Sequence, residues 1–119
     1  NNSGKIYPRN LAYAKKALEE ANFSCEVDNA HKTFISKAMN KQYMEAHHLI
    51  PLQFQEDFSY SLDIPANIVS VCPNCHRKLH FGFIEDKKEI LKKLFERKNN
   101  KLKEFGIIIN EDELFEIYT

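Results

Sequence analysis

Apolar residues along this chain fall into a few periodic blocks separated by stretches with no period at all. Between Asn10 and Asn22 the segment LAYAKKALEEA sets Leu11, Ala14, Ala17, Leu18 and Ala21 at helical spacing, with Asn10 placed to cap the first turn. A first helix is predicted there. From Glu85 to Phe105 a highly charged segment carries Ile90, Leu91, Leu94, Phe95 and Leu102 on one side, which predicts an amphipathic helix with a break near Asn99 and Asn100. Its lysines are read as a wet face opposite a packed one. The tail GIIINEDELFEIYT predicts a short extended piece followed by a last helical turn or two.

Two shorter blocks read as strands. In YMEAHHLI the residues Tyr43, Glu45 and His47 would share one face and Met44, Ala46 and His48 the other, and Pro51 ends regular pairing. NIVSVC, after Pro65, is β-branched and bounded by turn signals. CPNCHRKLHFG then reads as a knuckle leading into a helix that Gly82 interrupts. FSCEVDNAHKTFISKAMNKQ has no period and predicts an irregular, braced loop. QFQEDFSYSLDIPAN is a connection whose aromatics, Phe54 to Tyr60, serve as core or loop anchors. Residues 1–9 read as a linker or domain edge, leaving one α+β domain over 10–119.

Composition narrows this picture. At 119 residues, 43% hydrophobic and 29% charged, the chain has the balance of a single globular domain with a modest core that a metal could supplement. It contains no apolar run of spanning length and no signal-peptide pattern, so no membrane association and a cytoplasmic setting are expected. Seventeen basic residues balance seventeen acidic ones, so any attraction to nucleic acid must be local. Three cysteines cannot pair completely within the chain, and two of them stand in a tight C-P-N-C that points to a metal before a disulfide.

All five histidines and all three cysteines lie between Cys25 and His80. Cys72 and Cys75 are spaced to bind one tetrahedral Zn²⁺ through a turn, and the loop offers Cys25 and His31 to complete the set, with Asp28 a competing oxygen ligand. The bland alternative is a buried Cys25 and a surface His31. On a helix His76 and His80 would share a face one turn apart, a spacing that can grip an ion but also arises by chance. Neighbouring His47 and His48 on an extended segment point to opposite sides, so one can hold a metal while the other moves a proton. Arg77 and Lys78 are within reach of a phosphate or belong to a solvated face. Glu45, on the His47 face, is a candidate partner for an imidazole.

AHHLIPL followed by ANIVSVCPNCHRKLH resembles the HNH endonuclease family, over roughly Cys25 to Gly82. Within that family the likeness is to McrA-like and other restriction-type domains with a structural zinc knuckle. The resemblance implies a small ββα-metal core with a zinc-braced loop, flanked by an N-terminal helix and a C-terminal helical extension over about 83–119. It implies His48 as the general base, His47 and His76 as ligands of a catalytic ion, and His80 as a third ligand, as in colicin-type members. Asn67 would hold the loop and orient the base. The pattern departs from the usual two CxxC pairs, because Cys25 and His31 replace the first.

The implied function is hydrolysis of DNA phosphodiester bonds with one divalent ion (Mg²⁺, Mn²⁺, Co²⁺, Ni²⁺ or Zn²⁺) beside the structural Zn²⁺, leaving 5′-phosphate and 3′-hydroxyl ends. The setting would be a restriction or defence enzyme. Recognition would come from an N-terminal domain or partner chain, with a homodimer for double-strand cleavage. Two other readings compete with this one. One is a non-catalytic zinc module that binds DNA or protein. The other is a metallohydrolase or metalloprotease, which the absence of H-E-x-x-H disfavours.

Overall fold

The computed structural model describes residues 10–119, so the predicted linker lies outside the described residues. The chain forms helix α1 (Leu11–Glu20), strands β1 (Glu45–His48) and β2 (Ile68–Val71), and helices α2 (Pro73–Phe81), α3 (Ile84–Glu104) and α4 (Glu111–Ile117). Short 3₁₀ turns cover Leu52–Asp57 and Pro65–Asn67. This is an α+β fold in which a two-stranded sheet and the helix after it make a ββα unit. No helix among the described residues is long and apolar enough to cross a membrane.

Each element begins or ends for a local reason. The Asn10 side chain accepts from Ala12 N at 3.0 Å, as its capping position predicts. After α1, Asn22 and Phe23 both take left-handed backbone angles and turn the chain into the loop. At the end of α2 a Cβ on Gly82 would meet the Lys78 carbonyl oxygen at 2.8 Å, so a residue without one lets α3 start at once in a new direction. α3 ends in a Schellman arrangement: Ile107 N donates to Leu102 O and Gly106 N to Lys103 O, each at 3.0 Å, with Gly106 at φ +79°. The predicted break at Asn99 and Asn100 does not occur. Asparagine costs a helix only about 0.5 kcal/mol per residue. Burial of Phe95 and Leu102 on either side requires one continuous helical register.

β1 and β2 pair antiparallel, with His47 opposite Val69 and His48 opposite Ile68. A two-stranded ribbon is marginal by itself. Here every residue of β2 is buried, with α1 and α2 packed against the sheet. Its outer edge is closed by the loop after α1: Glu26 N donates to Ser70 O (2.8 Å), Ser70 N to Glu26 Oε1 (2.9 Å), and the Ser70 hydroxyl to Ser24 O (2.8 Å). Arg97 and Lys98 of α3 each come within 3.3 Å of the buried Glu26 carboxylate, so part of the basic face of α3 is engaged there. The core runs from Leu49, Ile50 and Val69 through Leu79 to Leu91, Leu94, Leu102, Ile107 and Leu114. In the extended piece Ile107 and Ile109 are buried while Ile108 is exposed. Phe54 and Phe58 pack against the core from its edge, as their anchoring role predicts.

Candidate metal centres and active site

The loop and the knuckle meet at one point. The thiols of Cys25, Cys72 and Cys75 and one ring nitrogen of His31 all lie within 4.8 Å of one another. Nδ1 of His31 is 3.6 Å from Cys72 Sγ and 3.5 Å from Cys75 Sγ. Sulfur bound at about 2.3 Å and nitrogen at about 2.1 Å to one tetrahedral zinc sit roughly 3.6 Å apart, so the donors and their spacing fit Zn²⁺. Asp28 is outside the cluster: its Oδ1 accepts from Ala30 N, and its Oδ2 is 3.8 Å from His31 Nε2, the ring nitrogen facing away from the sulfurs. It lies beside a candidate ligand, beyond hydrogen-bond distance, instead of competing with it.

Cys25 and Cys75 are shifted in opposite directions. Burial raises Cys25, but backbone hydrogen bonds with Cys72, Asp28 and Val27 and one with His31 outweigh it and hold the thiol below its ordinary value. Burial and the neighbouring Cys25 and Cys72 push Cys75 up. A divalent ion held there would compensate the thiolates together.

A second cluster sits on the sheet side of α2, where ligand atoms of His47, His76 and His80 lie within 4.8 Å of one another. His76 and His80, one turn apart on α2, bring their Nε2 atoms to 3.1 Å. Two nitrogens bound at about 2.1 Å to one ion are separated by about 3.0–3.4 Å, so this pair fits one coordination sphere. Glu45 is the imidazole partner that its strand face suggests: its Oε1 accepts from His76 Nδ1 at 2.8 Å, leaving Nε2 free to ligate. Tyr43 donates to the other oxygen at 2.7 Å and, as the largest cause, holds the Glu45 carboxyl below its usual range. Burial, and then the neighbouring imidazoles of His76, His80 and His48, lowers His47 to about 3. His80 is lowered by burial, then by His76, Lys87 and Arg77. Imidazoles kept neutral are competent ligands.

His48 leaves the strand on the other side, where Asp63 Oδ1 accepts from its Nε2 at 2.9 Å. That bond leaves Nδ1 with the lone pair. Asp63 is itself held by Asn10 N, which donates to its other oxygen at 2.7 Å. Asn67 is fully buried. Its Oδ1 accepts from Ile50 N (2.9 Å), its Nδ2 donates to Ile50 O (3.0 Å) and Leu62 O (2.9 Å), and its own carbonyl accepts from Leu49 N (2.8 Å). Asn67 therefore clamps the turn after His48, while the ring partner of His48 is Asp63. His47, His48, His76 and His80 line one cavity of about 340 Å³ with Ala46, Pro51, Leu52 and Gln53. On the far side of the histidines an open groove is lined by Glu45, Arg77 and the exposed Phe81, and the Arg77 guanidinium lies 5.9 Å over the Phe81 ring.

Three residues near these clusters carry no signal in the sequence. Asp63 sits in a polar connection, Lys87 looks like any lysine of a solvated helix face, and Tyr118 is next to the last residue. Tyr118 nevertheless reaches His47, with its hydroxyl 2.7 Å from Nε2, and burial raises its phenol. A pairing across 71 positions has no local pattern to reveal it.

Residues 25–82 match the HNH endonuclease family. The chain is also 33% identical over 91 residues to the type IV methyl-directed restriction enzyme EcoKMcrA of Escherichia coli (strain K12), an alignment covering 76% of this chain and 30% of the relative. The chain therefore spans about a third of the length of the curated relative it matches. With a ββα unit carrying a Cys₃His cluster and a three-histidine cluster beside it, the chain belongs to the HNH endonuclease family, on the side of its restriction-type, McrA-like members.

Proposed function

We propose that residues 10–119 form the nuclease domain of a larger restriction-type enzyme and hydrolyse phosphodiester bonds in DNA, leaving 5′-phosphate and 3′-hydroxyl ends. The observation that carries this reading is the 340 Å³ cavity in which His48 opens onto the same space as His47, His76 and His80. A divalent ion held by those three imidazoles supplies charge compensation at the phosphate and at the departing 3′-oxygen. His47, His76 and His80 are its proposed ligands, and a nitrogen-rich set suits Mn²⁺, Co²⁺, Ni²⁺ or Zn²⁺ as well as Mg²⁺.

His48 accepts the proton of the attacking water at Nδ1, with Asp63 holding the hydrogen on Nε2 and so leaving the lone pair on Nδ1. Asn67 keeps the following turn, and with it the base, in place. Arg77, at the lip of the groove, contacts a phosphate of the bound strand. Cys25, His31, Cys72 and Cys75 hold the structural zinc. Neutral net charge and the short coverage of the relative support recognition by a further domain or partner chain. Cutting both strands requires two such domains, supplied by a homodimer.

The test is nicking of supercoiled plasmid by the full-length parent in a panel of divalent ions, beside His48→Ala. The variant should lose at least about 10²-fold in rate while retaining both metals. Equal nicking by the variant removes His48 from the mechanism. Absence of cleavage in every ion favours the non-catalytic zinc module, for which the three-histidine cluster has no purpose.

A further inference from the structure

The tyrosine at the end of α4 meets the metal cluster through a bond arrangement that admits one reading. Tyr118 is buried, and its hydroxyl makes two short contacts, 2.6 Å to Leu49 O and 2.7 Å to His47 Nε2. A phenol has one proton. The Leu49 carbonyl has none to offer, so the contact with it requires that proton, and the hydroxyl can then only accept from His47. His47 must therefore carry its hydrogen on Nε2 and keep its lone pair on Nδ1. From these contacts we infer that Tyr118 is a positioning residue of the metal centre, selecting the His47 tautomer and ring orientation in which Nδ1 is the ligand atom.

Three further observations fit this role. Lys87, buried on α3, places its Nζ 3.4 Å from Tyr118 O and 5.7 Å from the centre of its ring, gripping the end of α4 from the side. Leu49 follows the histidine pair directly, so one hydroxyl ties both the ligand and the turn behind it to the C-terminal helix. The His47 ring is also packed edge-on against His76 and His80, at centroid distances of 5.1 and 5.0 Å, which leaves little freedom to exchange its two nitrogens. Outer partners of metal-bound imidazoles commonly change ion affinity by about 10- to 100-fold. The inference rests on His47 being a ligand in the proposed site, but not on DNA being cut.

The experiment uses the zinc-loaded protein free of the second ion. Long-range ¹H–¹⁵N correlation spectra of its histidine rings at pH 7.5 should show His47 as the Nε2–H tautomer. In Tyr118→Phe, which keeps the ring and removes only the hydroxyl, the Nδ1–H form should appear, and Co²⁺ titrated into the three-histidine site should bind about 10-fold more weakly. Retention of one zinc and an unchanged Co²⁺ absorption envelope at saturation separate this from general loosening. An Nδ1–H tautomer in the unsubstituted protein overturns the inference whether or not the variant folds, and so does Co²⁺ affinity unchanged in Tyr118→Phe. Both readouts are made without nucleic acid, so failure of the nuclease reading leaves them standing.

Discussion

His47 is 5% exposed and surrounded by imidazoles, whereas its neighbour His48 is hydrogen-bonded to the Asp63 carboxylate. Strand geometry alone separates the two, because successive side chains leave a strand on opposite faces. Burial then gives His47 a pH signature. Its value falls from 6.5 to about 3 on folding, so the unfolded chain binds the extra proton first. The resulting stability is fully present above about pH 6.5 and is lost as pH falls towards 3. Urea denaturation with only the structural zinc bound should show a midpoint that declines between pH 7 and pH 5, and His47→Gln should flatten that decline. An equal slope in both proteins would refute this placement of the proton. At this scale the residue types were legible, and Glu45 as an imidazole partner followed from its strand face. Asp63 and Tyr118 were not, because their partnerships are made by chain reversal over 15 and 71 positions.

At the scale of elements, α4 is only seven residues long, too short to persist on propensity alone. What defines it is a capping box, in which Asn110 Oδ1 accepts from Glu113 N at 2.8 Å and Glu113 Oε1 from Asn110 N at 2.9 Å, together with the burial of Leu114. Replacing Asn110 by Ala should cost about 1 kcal/mol in global unfolding by denaturant, with m unchanged. Because Tyr118 caps the end of α4, the same variant should also raise amide exchange selectively over residues 110–118. Uniform exchange along the chain would argue that α4 has no local stability of its own. The helix period predicted α1 and α3, and the β-branched run predicted β2. The asparagine pair in α3 misled because propensity is a small term beside the burial of Phe95 and Leu102, a balance set by what faces them.

For the whole molecule, the Cys₃His cluster brings the aperiodic loop against the start of α2 through its candidate ligand atoms. The loop in turn closes the β2 edge through Ser24 and Glu26. Zinc removal should therefore act far beyond its ligands. Stripping the metal with a strong chelator, or replacing Cys75 by Ser, should lower zinc content in step with loss of the near-ultraviolet signal and a drop in thermal midpoint, with the three-histidine site losing its ion as a consequence. A stable, cobalt-binding protein without zinc would show instead that the apolar core alone holds the fold. The balanced charge has a bearing here too: a domain with no net charge gains little from long-range steering, in keeping with the proposed delivery by a further domain or partner chain.

By itself the sequence determined most of the elements, the family and the two groups of candidate ligands. Those features depend on short-range spacing: a helical period, alternation along a strand, thiols two residues apart, histidines one turn apart. Only the tertiary structure decided which nitrogen of each histidine is available and what holds it, through Glu45 for His76, Asp63 for His48 and Tyr118 for His47. The physical reason is that a ring nitrogen is committed by whichever donor or acceptor folding brings within about 3 Å, and for His47 the residue that does so lies well outside the motif.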